Sequence, residues 1–349
     1  MKRYGNLYKK IYEMENIREA HKNARRGKTH YREVKQVDKD PERYFKRIYH
    51  MLKNKSFHNS RYTVYTKHDG NKDRLIYRLP YFPDRIIHHC IMQIVGPIWT
   101  KTLISDTYAC ITGRGIHKGV KRIKQAIRSV PEGTKYCLKC DVRKFYPSVD
   151  HEVLKTIIRK KIKDKDLLWL LDEIIDSAPG IPIGNYLSQH FGNLYLSGLD
   201  HEMKEAKNCK YYFRYCDDIV ILDSNKSRLH NLRVEIQQSL SGLNLTLKSD
   251  YKVFPIDQGV DFLGYRFFKN YTLVRKSIVA RFKCKVLSIH NGVVKTDAIL
   301  STVMSYNGWL KWADTFNLKK ALFDYRLKNI LWMVSAYMKV HNPVFKLGV

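Results

Sequence analysis

The spacing of apolar residues divides the chain into short strands and helices without a regular repeat. Residues 136–142 alternate with a period of two, which places Cys140 and Val142 on one face of a strand and Lys139 and Asp141 on the other. Further strands are predicted at Tyr62–Tyr65, Arg74–Leu79, Tyr211–Tyr215, Ile219–Leu222, Leu245–Leu247 and Phe262–Phe267. Strands interrupted irregularly by helices favour an α+β fold over a doubly wound parallel sheet.

Apolar residues at helical spacing occur over most of the remaining chain. Residues 1–60 combine Lys, Arg and Tyr with scattered apolar positions, a pattern typical of amphipathic helices with a basic face. A helix is predicted to begin at Asp84, with that aspartate as its N-cap, and a breaker-rich loop spans Gly180–Gly184. Other helices are predicted over 116–130, over 151–177, from about Tyr186, over 227–242, and from 276 onward.

The composition is strongly basic. The 349 residues include 64 Lys and Arg against 33 Asp and Glu, a net charge of +31. Such an excess predicts a polyanionic partner, above all nucleic acid, and binding that weakens steeply with salt. The alternatives are a basic protein kept soluble by its charge and one that binds an anionic membrane surface.

The sequence gives no sign of a membrane span, and its cysteines indicate a reducing compartment. The longest apolar stretches are about ten residues, too short to span a bilayer. Seven scattered cysteines favour free thiols in a cytoplasm. Cys137 and Cys140 form a CxxC inside a predicted strand, without a second pair at ligand spacing, so we interpret both as core residues rather than zinc ligands.

Three aspartates form the sharpest chemical feature of the sequence. Asp217 and Asp218 are adjacent in a tight hairpin between apolar strands, and Asp141 ends an earlier strand. Adjacent carboxylates repel each other and stay ionised there only if a cation neutralises them. If these strands lie side by side, three hard oxygen ligands converge, which is the set that Mg²⁺ prefers. The alternative is that Asp-Asp simply forms a turn.

Two motifs around these aspartates resemble those of reverse transcriptases. Tyr215-Cys-Asp-Asp218 resembles the YxDD box, and Asp141-Val-Arg-Lys-Phe-Tyr146 resembles the first palm motif. The resemblance runs from about residue 60 to the C-terminus and implies an RNA-directed DNA polymerase with right-hand architecture. We expect a basic helical segment at 1–60, fingers at 61–100, a palm with an antiparallel sheet at 101–275, a finger-helix insertion near 151–180, and a helical thumb at 276–349.

The resemblance implies roles for residues at the aspartates. Asp141 and Asp217 would bind two Mg²⁺ ions, with Mn²⁺ as a substitute, together with the carbonyl of Val142; Asp218 would be an auxiliary carboxylate. Two such ions deprotonate a 3′ hydroxyl and hold the leaving pyrophosphate. Tyr146 would lie under the incoming sugar and exclude a 2′ hydroxyl. The alternative for Tyr146 is a plain core aromatic.

Other residues match segments that contact substrates in this family. Lys72 and Arg74 would bind the incoming triphosphate, and Ile183 and Gly184 are further nucleotide-binding candidates. Lys252 is a loosely aligned candidate for the lysine that protonates pyrophosphate. The resemblance also assigns template or primer contacts to Arg114, Ser188, Gln189, Tyr215 and Gly264. Gly264 corresponds to the primer grip, where a glycine lets the backbone approach the primer closely.

The loop at residues 183–189 indicates which subfamily of reverse transcriptases the chain resembles. Most relatives read Gln-Gly with Ser-Pro four residues after the glycine, whereas this chain has Ile183-Gly184 and Ser188-Gln189. This variant and the tail Ser305–Asp314 resemble the reverse transcriptases of diversity-generating retroelements, which copy a template-repeat RNA with frequent errors at adenines. Where most relatives have a glutamine, Ile183 has no side-chain amide to place beside the nascent base pair. We therefore predict that Ile183 lowers fidelity. An ordinary packing isoleucine is the alternative.

The same resemblance implies ligands, partners and a location. These are template RNA, an RNA–DNA duplex, dNTPs, and a small basic helical accessory variability protein, in the cytoplasm of a bacterial or phage-infected cell. One rival within the family is a group II intron-like, retron or phage-defence reverse transcriptase. A rival from another class is a catalytically silent RNA-binding subunit, against which the intact aspartates argue.

Overall fold

The N-terminal part of the chain is helical. The computed structural model describes residues 2–69, 72–291, 293 and 296–323. The first helices are α1 (Tyr8–Ile11), α2 (Met14–Ala24), α3 (Arg32–Lys39) and α4 (Pro41–Lys53). Asp40 caps α4 by accepting a hydrogen bond from the backbone N–H of Arg43, and Pro41 takes the first helical position, where its missing N–H leaves no bond unmade. The amphipathic helices predicted for this segment are present.

A hairpin and a buried helix follow. Strands β1 (Thr63–Asp69) and β2 (Lys72–Arg78) pair antiparallel, with Thr63 opposite Arg78. Helix α5 (Ile86–Thr100) is predominantly apolar and largely buried. The predicted N-cap role of Asp84 is wrong, because Arg85 is the N-cap of α5 and Asp84 lies in the irregular turn over Tyr81–Arg85, which is kinked at Phe82. Asp84 is fully buried in that turn and accepts a hydrogen bond from the backbone N–H of Ser60.

A four-stranded sheet carries the aspartates. Its strands are β3 (Tyr136–Asp141), β4 (Tyr211–Tyr215), β5 (Asp218–Asp223) and β6 (Lys252–Pro255), in the order β4-β5-β3-β6. Leu138, Phe213 and Ile219 are completely buried, as expected of β-branched, aliphatic and aromatic residues in a central sheet. Only two residues join β4 to β5, so these strands form a tight hairpin. The strands predicted at 136–142, 211–215 and 219–222 are confirmed to within one residue.

Six further α-helices lie between α5 and β6 in the chain, one before β3 and five between the strands of this sheet. They are α6 (Ile116–Ser129), α7 (His151–Arg159), α8 (Lys165–Ile175), α9 (Ser188–Tyr195), α10 (Ser197–His201) and α11 (Lys226–Ser241). The side chains of Asp150 and Asp164 cap α7 and α8, since they accept hydrogen bonds from the backbone N–H groups of Val153 and Leu167. The segment predicted to be helical at 151–177 is therefore two separately capped helices.

Two of the predicted strands are wrong. Leu245–Leu247 forms an isolated bridge, from Leu247 to Val142, and the strand of this region is β6, which follows it. Phe262–Phe267 is a hairpin rather than one strand, and its elements are β7 (Val260–Phe262), β8 (Tyr265–Phe267) and the adjoining β9 (Thr272–Val274). The chain reverses at Leu263 and Gly264, which both have positive φ.

Helices form the last part of the described chain. They are α12 (Lys276–His290), α13 (Thr296–Leu310) and α14 (Phe316–Phe323). The rest of the predicted thumb, residues 324–349, lies outside the described residues. In the portion that the structure covers, no helix combines the length and apolarity needed to cross a bilayer.

The chain divides into two compact units. One comprises Met1–Gly115, Leu138–Ile221 and Ser227–Lys252, and the other comprises Ile116–Cys137, Leu222–Lys226 and the chain from Val253 onward. The three aspartates belong to the first unit and Gly264 to the second. The finer division into fingers, palm and thumb stays a prediction.

The β7–β8 turn depends on Gly264. This glycine has φ +83°, and a Cβ built on it would lie 2.5 Å from Cζ3 of Trp309. Gly264→Ala should therefore lower the free energy of unfolding by about 1–3 kcal/mol, because backbone strain and steric overlap act together. Urea denaturation measures this change. Gly308→Ala is the matched control, since no atom lies within 4 Å of its added Cβ. Equal stability of the two variants would contradict the prediction.

Candidate active site

Asp141 and Asp217 lie next to each other, one at the end of β3 and the other in the turn that precedes the neighbouring strand β5. Asp141 is the last residue of β3, and Asp217 is in the two-residue turn between β4 and β5. The backbone N–H of Val142 donates to the carbonyl of Asp217 at 3.3 Å, which fixes the two segments side by side. Burial and then the negative charge of Asp141 raise the pKa of Asp217, whereas Lys248 and Arg74 act in the opposite direction.

Asp218 has a different environment. It begins β5, and its Oδ2 lies 3.8 Å from Nζ of Lys139, a residue on the same face of β3 as Asp141. Among the residues that the structure describes, no group of three or more His, Cys, Asp or Glu side chains is arranged as a metal site. Of the three carboxylates, Asp141 and Asp217 influence each other electrostatically and Asp218 lies near Lys139, while their joint metal binding stays a prediction.

Lys248 is a member of the site that we did not predict. Its ammonium group forms an ion pair with Asp141, and its backbone N–H donates to the Asp141 carbonyl at 2.9 Å. Burial alone would lower the pKa of Lys248, but its hydrogen bond and ion pair with Asp141 raise it. The lysine that we predicted, Lys252, lies exposed at the start of β6. The alternation of buried Leu245 and Leu247 directly before Lys248 was the available signal.

The β1–β2 hairpin supplies positive charge. Arg74 lies on β2 within electrostatic range of Asp217 and favours the charged form of that carboxylate. Lys72 is the first residue of the same strand. A guanidinium at this position can bind a phosphate by two parallel hydrogen bonds, so nucleotide binding by Arg74 stays our prediction.

Tyr146 and Tyr215 flank the turn that carries Asp217. Burial, and then the neighbouring Cys216 and Asp217, raise the pKa of Tyr146. Burial also raises the pKa of Tyr215, to about 12. Both phenols are therefore neutral at physiological pH, and their roles at the sugar and the primer remain predictions.

The loop at Ile183 and Gly184 is bound to the β1–β2 hairpin. The carbonyl of Ile183 accepts a hydrogen bond from the backbone N–H of Tyr77 at 2.7 Å. Gly184 has φ +116°, and an added Cβ would lie 2.5 Å from the Tyr77 carbonyl oxygen, so a side chain cannot be placed there without moving the strand. The side chain of Ile183 remains half-buried.

Two of the residues predicted to contact template or primer, Arg114 and Ser188, make hydrogen bonds within the protein. Ser188 is 2% exposed, and its hydroxyl donates to the Pro182 carbonyl at 2.6 Å; its predicted contact with the template stays a prediction. Arg114 donates through Nη1 to the Ile104 carbonyl at 2.7 Å. Gln189 is exposed, and its side-chain oxygen accepts a hydrogen bond from the thiol of Cys110. Template binding by Arg114 and Gln189 remains a prediction.

Comparison with known families decides the assignment. The family model described as reverse transcriptase (RNA-dependent DNA polymerase) matches residues 65–267, which is more than half of the chain. The chain belongs to the reverse transcriptase family. The matched region contains both motifs and the β1–β2 hairpin. The α+β fold of right-hand polymerase type that we predicted is confirmed.

Several proteins are similar to this reverse transcriptase. Protein YkfC of Escherichia coli (strain K12) is 22% identical over 237 residues, covering 55% of this chain and 62% of that protein. The group II intron-encoded protein LtrA of Lactococcus lactis subsp. cremoris is 24% identical over 140 residues, or 37% and 23% of the two chains. This chain thus spans less than two thirds of either protein. A telomerase from Candida albicans is 12% identical with a TM-score of 0.49, over 82% and 61% of the chains.

The donor set of this reverse transcriptase suits a divalent metal ion. Asp141 and Asp217 offer two hard oxygen ligands, and the raised pKa of Asp217 shows that positive charge beyond Lys248 and Arg74 would stabilise the pair. Mg²⁺ is commonly bound through one or two carboxylates, while water and substrate phosphates complete its coordination. The two aspartates fit that mode, in which the nucleotide supplies the remaining oxygens.

Proposed function

We propose that this reverse transcriptase is an RNA-directed DNA polymerase that makes cDNA by nucleotidyl transfer with two Mg²⁺ ions. The observation that carries the proposal is the placement of Asp141 and Asp217 together, within reach of Lys248 and Arg74. Family membership supports it. Phosphoryl transfer requires mainly positioning and charge compensation, and these four side chains offer both.

Each residue of the site has a task in this reaction. Asp141, Asp217 and the Val142 carbonyl would hold the ions, which Mn²⁺ could replace, with Asp218 as an auxiliary carboxylate. When bound, the ions would activate the primer 3′ hydroxyl and neutralise the leaving pyrophosphate. Arg74, assisted by Lys72, orients the triphosphate. The half-buried ring of Tyr146 packs edge-to-face against Phe145, and from this position it would exclude a 2′ hydroxyl by bulk.

The macromolecular ligands of the enzyme are template RNA and the RNA–DNA duplex. A net charge of +31 favours both and makes binding salt-dependent. The half-buried ring of Tyr215 and the exposed amide of Gln189 are suited to contact bases and backbone beside the active site. We place Gly264 at the primer, although its turn by itself already requires glycine.

Catalysis is tested by neutralising one aspartate. Asp217→Asn should reduce primer extension on an RNA template at least about a hundredfold, because it removes one charge from the metal-binding pair. Asp257→Asn is the matched control, since Asp257 is exposed in a short turn of the second unit. The measurement is single-turnover extension with Mg²⁺.

The outcomes of this experiment separate the two classes of function. Loss of extension in Asp217→Asn alone supports the polymerase. Equal extension by both variants would remove catalysis from this site. A wild-type chain that binds the primer–template but does not extend it would instead be the silent RNA-binding subunit.

We further propose that the enzyme serves a diversity-generating retroelement, where it makes error-prone cDNA from a template-repeat RNA for mutagenic retrohoming. The Ile183-Gly184 and Ser188-Gln189 signature supports this subtype. A small basic helical accessory variability protein would be its partner, in the cytoplasm of a bacterial or phage-infected cell. The similarity to LtrA equally suits a group II intron-like enzyme, and retron and phage-defence enzymes are further alternatives. Paired repeats that differ at adenines beside the gene would distinguish them.

Fidelity is tested at Ile183. Its backbone is fixed by Tyr77, so substitution changes the side chain without displacing the loop. A neutral hydrogen bond contributes about 0.5–1.5 kcal/mol, which corresponds to about a two- to tenfold change in discrimination. Ile183→Gln should therefore reduce misincorporation opposite template adenine by this factor, measured by sequencing the cDNA. Ile183→Leu, which keeps an aliphatic side chain, should retain the wild-type error rate. If the glutamine variant is equally error-prone, Ile183 has no role in fidelity.

A further inference from the structure

A completely buried ion pair lies next to the turn that carries Asp217. Arg214 of β4 and Asp200 of α10 both have side chains that are 0% exposed. Arg214 binds the carboxylate through two nitrogens, Nε to Oδ1 at 2.6 Å and Nη2 to Oδ2 at 2.5 Å. This bidentate geometry is the strongest that a guanidinium can form with a carboxylate, and it fixes the guanidinium plane.

Asp200 is bound by neutral donors as well. The hydroxyl of Tyr212 donates to Oδ1 at 2.7 Å, and the hydroxyl of Thr107 donates to Oδ2 at 2.9 Å. The carboxylate therefore receives four hydrogen bonds without water. A carboxylate held this way cannot rotate, so it is a rigid base for the arginine.

The third nitrogen of the Arg214 guanidinium, Nη1, reaches the turn that carries Asp217. This nitrogen donates to the carbonyl oxygen of Cys216 at 2.8 Å, and that carbonyl belongs to the peptide that joins Cys216 to Asp217. Cys216 has φ +54°, a left-handed conformation that is uncommon for a residue with a side chain. Such a conformation persists where the surroundings hold it, and the hydrogen bond from Arg214 holds the Cys216 carbonyl in place.

Stability alone does not explain why this pair is charged. The free energy lost by removing two ions from water is about as large as the free energy gained from their attraction. Apolar residues of similar volume therefore commonly replace a buried pair without loss of stability. Apolar side chains could not hydrogen-bond the Cys216 carbonyl, however. A lysine could not do so either while retaining both bonds to Asp200, because it lacks the planar fork of donors.

We propose that the Arg214–Asp200 pair is a positioning device that sets the orientation of the Cys216–Asp217 peptide and thereby aims the Asp217 carboxylate. The pair acts through the turn and touches no substrate. This inference rests on the proposed role of Asp217 as a metal ligand. It adds two residues, Arg214 and Asp200, on which the geometry of that ligand depends.

The proposal is tested with Arg214→Lys. Outer partners of metal ligands typically contribute 10–100-fold to metal affinity or activity, so kcat should fall by about this factor. Mn²⁺ binding to the full chain, measured by electron paramagnetic resonance with Mn²⁺ alone as the probe, should weaken about tenfold. The KM for primer–template should not change, because Arg214 is buried away from nucleic acid. Arg159→Lys, in the more exposed Arg159–Asp172 pair, is the control and should leave all three quantities unchanged.

A second variant covers the case in which Arg214→Lys does not fold. Tyr212→Phe removes one donor to Asp200 and leaves Arg214 in place, so a smaller weakening of Mn²⁺ binding and of kcat is expected. Overturning results are a folded Arg214→Lys protein with wild-type kcat and Mn²⁺ affinity, or an unfolded one accompanied by a wild-type Tyr212→Phe. If the wild-type chain binds Mn²⁺ but extends no primer, the proposed function fails while the Mn²⁺ comparison still tests the positioning role.

Discussion

The repulsion between Asp141 and Asp217 is the constraint around which this structure is organised. The two carboxylates, at the end of β3 and in the β4–β5 turn, are partly desolvated, and burial and the charge of Asp141 both raise the pKa of Asp217. Positive groups come from separate parts of the chain: Lys248 after the Leu247 bridge, and Arg74 from the β1–β2 hairpin. A site that concentrates negative charge and gathers cations around it is poised to exchange some of that protein charge for metal ions and phosphate.

A rigid frame must hold the two carboxylates together against this repulsion. The pairing of β3 with β5 sets the distance between the two strands. The hydrogen bond from the Val142 N–H to the Asp217 carbonyl holds the turn against the end of β3. Behind the turn, Arg214 and Asp200 occupy a completely buried position. The same principle holds the loop of Ile183, which hydrogen-bonds the backbone of β2 rather than lying free in solvent. Function therefore depends on buried polar contacts as much as on the residues that meet the substrate.

Local patterns predicted those parts of the fold that depend on neighbours in sequence. The alternation at 136–142 and the apolar segments on either side of Asp217 and Asp218 correctly predicted three strands of the central sheet. Turn residues that separate short strands were harder to recognise: Phe262–Phe267 satisfies a strand pattern, but positive φ at Leu263 and Gly264 reverses it, and this conformation depends on contacts such as that with Trp309. The burial of Ser188 could not be predicted either, because a hydroxyl in a motif gives no sign of whether it is buried.

The roles of charged residues were the least predictable. Lys252 and Lys248 are both basic and lie four residues apart, and the choice between them depends on the bridge that places Lys248 beside Asp141. In a chain with 64 Lys and Arg, composition cannot identify the few that meet a carboxylate. Asp200 likewise carries no local signature, since its partner Arg214 is fourteen residues away and only burial makes their contact significant.

The most direct measurement is anomalous scattering from Mn²⁺ in crystals of the enzyme with an RNA template, a DNA primer and a non-hydrolysable dNTP. Two Mn²⁺ ions should be found, both coordinated by Asp141 and Asp217, with the Lys248 ammonium displaced from Asp141. A complex in which primer and nucleotide are aligned for reaction but no Mn²⁺ is bound to Asp217 would contradict the shared metal site on which catalysis is proposed to depend.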